Sequence, residues 1–191
     1  MQKAKQFRLH IQCVVTAAVC FILPLSVHAQ VRINEIAWMG DDRSYTNEWI
    51  ELYNTHDTAV QVDGWTLRTQ DGSISTTLEG TLPAGGYFLL ERTDDAAVKN
   101  KTADQVYIGS LSNDGTTLEL LNTADETVDV VAGGDGWEQV GGSNETKDTA
   151  QYNSDGWITA VPTPGTPNSS QPSESADSGG ENSQDNRSNA S

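Results

Sequence analysis

Between Gln30 and Asn168 the apolar residues recur at every second position in short runs, each closed by a cluster of Gly, Asn, Asp or Pro. A strand turns successive side chains to opposite faces, so this period writes one buried and one outward face into each run. No stretch of ten or more residues sustains the 3.6-residue period of an amphipathic helix. The runs are Val31 to Trp38, Trp49 to Tyr53, Val60 with Val62, Trp65 to Thr69, Ile74 to Leu78, Tyr87 to Arg92, Val106 to Ile108, Thr116 to Leu121 and Thr127 to Val131. Shorter runs follow near Ala150-Gln151-Tyr152 and Trp157-Ile158.

Asp71-Gly72 is a hairpin-type turn, and Asn122 to Glu126 joins another pair of runs. About eight to ten short strands at spacings of roughly 8–12 residues predict an all-β sandwich. Alternation places Val31, Ile33 and Glu35 on one face of the first strand and Asn34, Ile36 and Trp38 on the other. Tyr87 to Arg92, apolar with little alternation, reads as a strand buried on both sides. The expected core is Ile33, Ile50, Leu52, Trp65, Leu67, Leu89, Leu118, Leu120, Val128 and Val130, and Asp94 to Lys101 is the one candidate helical turn.

The ends of the chain read differently. Lys3, Lys5 and Arg8 precede an apolar stretch from about Leu9 to Leu25, and Val27-His28-Ala29 follows. This is the layout of a cleavable signal peptide over residues 1–29, which predicts a secreted or cell-envelope location. Gln12, Thr16 and Pro24 interrupt the stretch, so it falls short of the roughly 20 residues of a membrane span, and no span is expected after cleavage. Cys20 lies within the apolar run rather than at its end, which speaks against a lipoprotein signal. Cys13 and Cys20 are the only cysteines and both precede residue 30, so the folded unit, residues 30–168, is expected to lack a disulfide. Residues 169–191 are almost wholly Ser, Asn, Gln, Asp, Glu, Gly and Pro and read as a disordered tail.

Charge narrows the partners. The formal charge is 11 − 27 = −16, and the remaining Lys and Arg residues are dispersed. Nucleic-acid binding, which needs a basic stripe, is disfavoured.

Six segments then carry a resemblance. Ile33-Asn34-Glu35-Ile36, Glu48-Trp49-Ile50-Glu51-Leu52-Tyr53-Asn54, Gly64-Trp65-Thr66-Leu67, Leu82-Pro83-Ala84-Gly85-Gly86-Tyr87, Leu111-Ser112-Asn113-Asp114-Gly115 with Leu118 to Leu121, and Pro162-Thr163-Pro164-Gly165-Thr166-Pro167-Asn168 stand in order across nearly the whole folded unit. Together they resemble bacterial lamin tail domains. The resemblance implies an immunoglobulin-like β-sandwich without its usual disulfide, and a non-catalytic interaction module. It also marks Asn34, Glu35, Glu48, Trp49, Glu51, Trp65, Gly115 and Pro164 as motif residues.

Glu48 and Glu51 are three apart on a strand and face opposite sides, so they cannot converge as the acid and base of a glycosidase. Glu35 and Glu51 can meet only across strands, and with Asn34 they are expected to satisfy loop and backbone donors. His56, the one histidine after residue 29, would have to serve any hydrolase, and no Gly-x-Ser-x-Gly accompanies it.

One histidine without cysteine leaves no zinc set. Calcium is a weaker alternative through the Asp41-Asp42, Asp94-Asp95, Asp114 or Asp135 loops, none with EF-hand spacing. No cofactor is expected. Trp38, Trp137 and Trp157 border Gly-rich loops, where they serve as exposed binding aromatics or as plugs over the ends of the sandwich. The sequence points to a protein or cell-envelope glycan partner met through loops and sheet edges. A carbohydrate-binding or calcium-dependent adhesion domain is the alternative.

Overall fold

A computed structural model describes residues 30–173, so the expected signal peptide and most of the expected tail lie outside the described residues. Twelve strands and one short 3-10 turn follow in chain order: β1 (Val31–Ala37), β2 (Trp49–Asn54), β3 (Val60–Gln61), β4 (Thr66–Thr69), β5 (Ser75–Thr77), β6 (Thr81–Leu82), β7 (Tyr87–Arg92), β8 (Gln105–Tyr107), β9 (Thr117–Leu121), β10 (Thr127–Ala132), the turn at Asp135–Trp137, β11 (Thr149–Asn153) and β12 (Gly156–Ala160). They form a six-stranded sheet in the order β12-β11-β1-β2-β7-β8, a four-stranded sheet β10-β9-β4-β5 and a small β3-β6 ribbon. This is the all-β sandwich that the alternation predicts. The β7–β8 pair is parallel and the other pairs are antiparallel.

Cross-strand partners share a face, so the register locates the core. In the large sheet Ile33 pairs with Leu52, Ile36 with Ile50, Ile50 with Leu90 and Leu52 with Phe88. These residues make the inner face and are all buried. In the small sheet Leu67 pairs with Leu120, and Leu118 with Thr69 and Val131. Leu89 is fully buried on the opposite face of its strand, beside Glu51, so β7 is covered on both sides as its composition predicts.

Two bulges correct the expected faces. The β1–β2 register slips between Ile33 and Glu35, which leaves Asn34 as the extra residue. Ile33 and Ile36 therefore both point inward while Glu35 turns outward opposite Glu51, where unbroken alternation puts Glu35 with Ile33. A second slip, between Thr127 and Asp129 in β10, does the same to the hairpin. Val131 takes the core position and is 4% exposed, whereas Val130, expected inside, is 48% exposed. Val128 and Trp65 are packed only partly against the core.

Residues 94–101 form turns and no helix. The reason is local: Glu91 accepts the Ala97 and Val98 N–H groups at 2.7 and 3.1 Å, and Thr93 and Asn100 hold left-handed φ angles of 72° and 61°. The end of the folded unit also moves. Ser169 N–H donates to the Gln151 side chain at 2.8 Å and Ser173 N–H to the Thr159 carbonyl at 2.9 Å, so residues 169–173, assigned to the tail by composition, lie bonded against β11 and β12.

Gly115 shows why its motif needs glycine. It adopts φ +87°, and a Cβ there would stand 1.9 Å from the Gly134 carbonyl oxygen. Gly72 has φ +75° but open space around it. Gly115→Ala is expected to cost roughly 2–4 kcal/mol through clash and backbone strain, and Gly72→Ala about 1–2 kcal/mol through strain alone. Urea unfolding midpoints of the two variants check the difference.

Candidate functional site

Four buried glutamates sit on or beside β1, β2 and β7 of the large sheet, and each holds a loop. Glu48 receives the Arg92 guanidinium at 2.6 Å and the Leu111 N–H at 2.7 Å. Glu91 holds the 97–98 turn described above. Glu35 accepts hydrogen bonds from Thr149 and Gln151 on β11 and from both the N–H and the hydroxyl of Thr163, each at 2.9 Å from Thr163. Glu51 accepts from the Gly165 N–H at 2.5 Å and from the Asn34 amide at 3.2 Å. Glu48 and Glu51 thus serve different loops, as their spacing requires.

Glu35, Glu51 and Asn34 together fasten Pro162-Thr163-Pro164-Gly165-Thr166-Pro167-Asn168 across the outer face of the sheet as a strap. The strap ends in a plug. The Asn168 amide donates to the carbonyls of Asn34, at 2.8 Å, and Tyr152, at 2.9 Å, and so bridges β1 and β11 beyond their last paired residues, Glu35 and Gln151. Proline supplies no N–H, so the donors the strap offers the carboxylates come from Thr163 and Gly165.

Burial governs the protonation of this cluster. It raises Glu35, Glu48, Glu51 and Glu91 above the usual carboxylate range, and Glu51, which also faces the Glu35 charge, is pushed up to about 8. Glu35 accepts four hydrogen bonds against two at Glu51. We therefore place the ionised form on Glu35 and the proton on Glu51, because acceptor bonds favour the charged state.

The remaining motif residues support this arrangement. Trp49, 5% exposed, and Pro164 line one shallow groove beside the 97–99 turn, so both pack where the strap passes. Trp65, the residue before β4, is partly buried and packs against the core.

The tryptophans offered as exposed binding aromatics fall into two groups. Trp137 is fully buried and Trp38 is 6% exposed, with their rings stacked at 5.9 Å and an interplanar angle of 4°. Their indole N–H groups donate to the Ser112 carbonyl at 2.7 Å and the Gly141 carbonyl at 2.9 Å. Both are plugs, and exposure is corrected for them. The Gly-rich loops admit close approach, and so they wrap the rings instead of presenting them.

Trp157 is half-buried and lines a groove of about 680 Å³ with Arg32, Ile33, Thr55, His56, Asp129, Val130, Val131 and Tyr152. The groove brings His56 and Trp157 together from opposite ends of the sequence. Arg32, Asp129 and Tyr152 carry no motif, and no sequence signal singled them out.

Calcium candidates also acquire partners. The Asp41 carboxylate accepts from the Arg43 and Ser44 N–H groups and the Asn47 amide, at 2.8, 3.0 and 2.9 Å. Among the described residues no group of three or more His, Cys, Asp or Glu is arranged to hold a metal ion. No described helix is long and apolar enough to cross a membrane.

Comparison with known proteins adds one finding. The family model described as Lamin Tail Domain matches residues 24–135, which covers the sheets through β10 and stops before the strap. No curated protein matches the chain.

Proposed function

The chain belongs to the lamin tail domain family, and from that premise we propose that it is an exported, non-catalytic interaction module that meets a protein or cell-envelope partner through loops and sheet edges. The observation that carries this reading is the use of the buried carboxylates. Glu35, Glu48, Glu51 and Glu91 all accept hydrogen bonds from loop or strap N–H groups, so the residues best suited to acid-base work are committed to holding loops in place. The surface left for recognition includes Tyr45, Ile108, Val130 and Val161, exposed at 78%, 76%, 48% and 66% on loops and edges.

Export is supported by the charge and apolar layout of residues 1–29. A calcium role stays a proposal of lower rank, since Asp41 already has three hydrogen-bonded partners. Capture from the native cell-envelope fraction tests the reading. The chain with and without residues 174–191 is expected to retain the same partner. Equal recovery from bait and blank resin would count against it.

A further inference from the structure

The groove beside Trp157 is built for a particular chemistry. Tyr152 and Trp157 pair across the β11–β12 hairpin with ring centroids 5.5 Å apart at 71°, so their rings form a corner. The Arg32 guanidinium lies 4.8 Å from the Tyr152 ring and 5.1 Å from the Tyr53 ring, which fixes a planar donor group beside that corner. Its Nε–H is buried and has no partner among the described residues.

The Asp129 carboxylate stands across from it and accepts the Ile33 N–H at 2.7 Å and the Val130 N–H at 2.9 Å. The second of these bonds occupies a main-chain donor on the edge strand β10, which blunts that edge against strand pairing. On the β12 edge the Ser173 N–H takes up a main-chain acceptor, the Thr159 carbonyl.

What remains open to a ligand is an aromatic corner with one cationic and one anionic side chain. In a chain of net charge −16 this is a place where the charges offset. A charged ligand would meet a like charge here. A neutral polyhydroxyl ligand can lay its C–H face on a ring while its hydroxyls both donate to Asp129 and accept from Arg32.

We propose that the groove between β10 and the β11–β12 hairpin is a binding site for a neutral saccharide, with Trp157 as its stacking platform and Arg32 and Asp129 as its hydroxyl partners. This rests on the interaction-module reading and names the class of its partner, a glycan of the cell envelope or its surroundings.

Isothermal titration of the full chain with cellohexaose, xylohexaose, mannohexaose and chitohexaose, and with hexagalacturonate as the charged arm, tests it. At least one neutral hexasaccharide is expected to bind in the micromolar to low millimolar range. Trp157→Ala should weaken that binding by at least about tenfold, and Thr77→Ala, on β5 at the opposite edge of the small sheet from β10, should leave it unchanged. Should Trp157→Ala unfold early, ligand-induced change in tryptophan fluorescence that is lost in Trp157→Phe reads the same contact. No neutral titration, affinity indifferent to Trp157, or preference for hexagalacturonate would each overturn the proposal. If envelope capture persists while no saccharide binds, the saccharide site fails and the interaction module stands; loss of both removes both.

Discussion

Trp137→Ala is expected to lower stability by about 3–5 kcal/mol, the range for emptying a fully buried large aromatic site. Trp137 is fully buried, stacks on Trp38 and donates its indole N–H to the Ser112 carbonyl. Its removal opens a void at that end of the sandwich, strands the Ser112 acceptor and takes away one side of the Trp38 contact. The backbone there is shaped around the ring: Trp137 itself sits at φ 66°, and a Cβ on Gly133 would stand 2.6 Å from the Trp137 ring. Urea unfolding of Trp137→Ala against the unmodified chain gives the value. A change below about 1 kcal/mol, comparable to a surface substitution, would show that the stack does not close this end of the core.

The second large effect is a dependence on pH. In the unfolded chain Glu51 titrates near 4.5, and in the folded protein near 8. Between those values the folded state holds a proton that the unfolded state has released, so stability falls as pH rises through this window and levels off above it. At about 1.4 kcal/mol per unit, the loss between pH 5 and pH 9 amounts to a few kcal/mol, which corresponds to several degrees in Tm.

Glu51→Gln should remove most of this slope. The neutral amide keeps an oxygen for the Gly165 N–H and relieves the repulsion with Glu35. Glu35→Gln should instead destabilise by roughly 1–3 kcal/mol at all pH values, because it replaces an acceptor of four hydrogen bonds with a group that is half donor. Thermal melts of the three proteins from pH 5 to pH 9 check both signs. A Tm that rises with pH would contradict the raised titration of Glu51.

Much of the fold was readable because period-two alternation is a direct consequence of strand geometry. The large sheet's β2 follows it without interruption, β7 reads instead as a run buried on both faces, and Ile50, Leu52 and Leu89 are buried as expected. Alternation fails where a bulge adds a residue, since one extra position exchanges the faces of everything after it. That is why Glu35 was placed with Ile33, and Val130 inside in place of Val131.

The carboxylate cluster was half legible. The motif letters marked Asn34, Glu35 and Glu51, and cross-strand pairing of the two glutamates was the one route by which they could meet. The strap that covers them comes from more than a hundred residues later, and nothing in local spacing announces that contact. Trp137 misled for a related reason: glycine around an aromatic residue signals an open loop and close packing equally well. The groove was least legible, because Arg32, His56, Asp129 and Trp157 stand far apart in sequence and belong to different strands and loops.

The central claim is that the buried carboxylates hold loops and that recognition belongs to the surface. Capture from the cell-envelope fraction by Glu51→Gln at pH 6 tests this most directly, since at that pH the glutamate it replaces is itself mostly protonated. The same partner is expected to be recovered in the same amount as with the unmodified chain. Loss of capture by a Glu51→Gln protein that melts at the unmodified temperature would contradict it, because the carboxylate would then belong to the working surface.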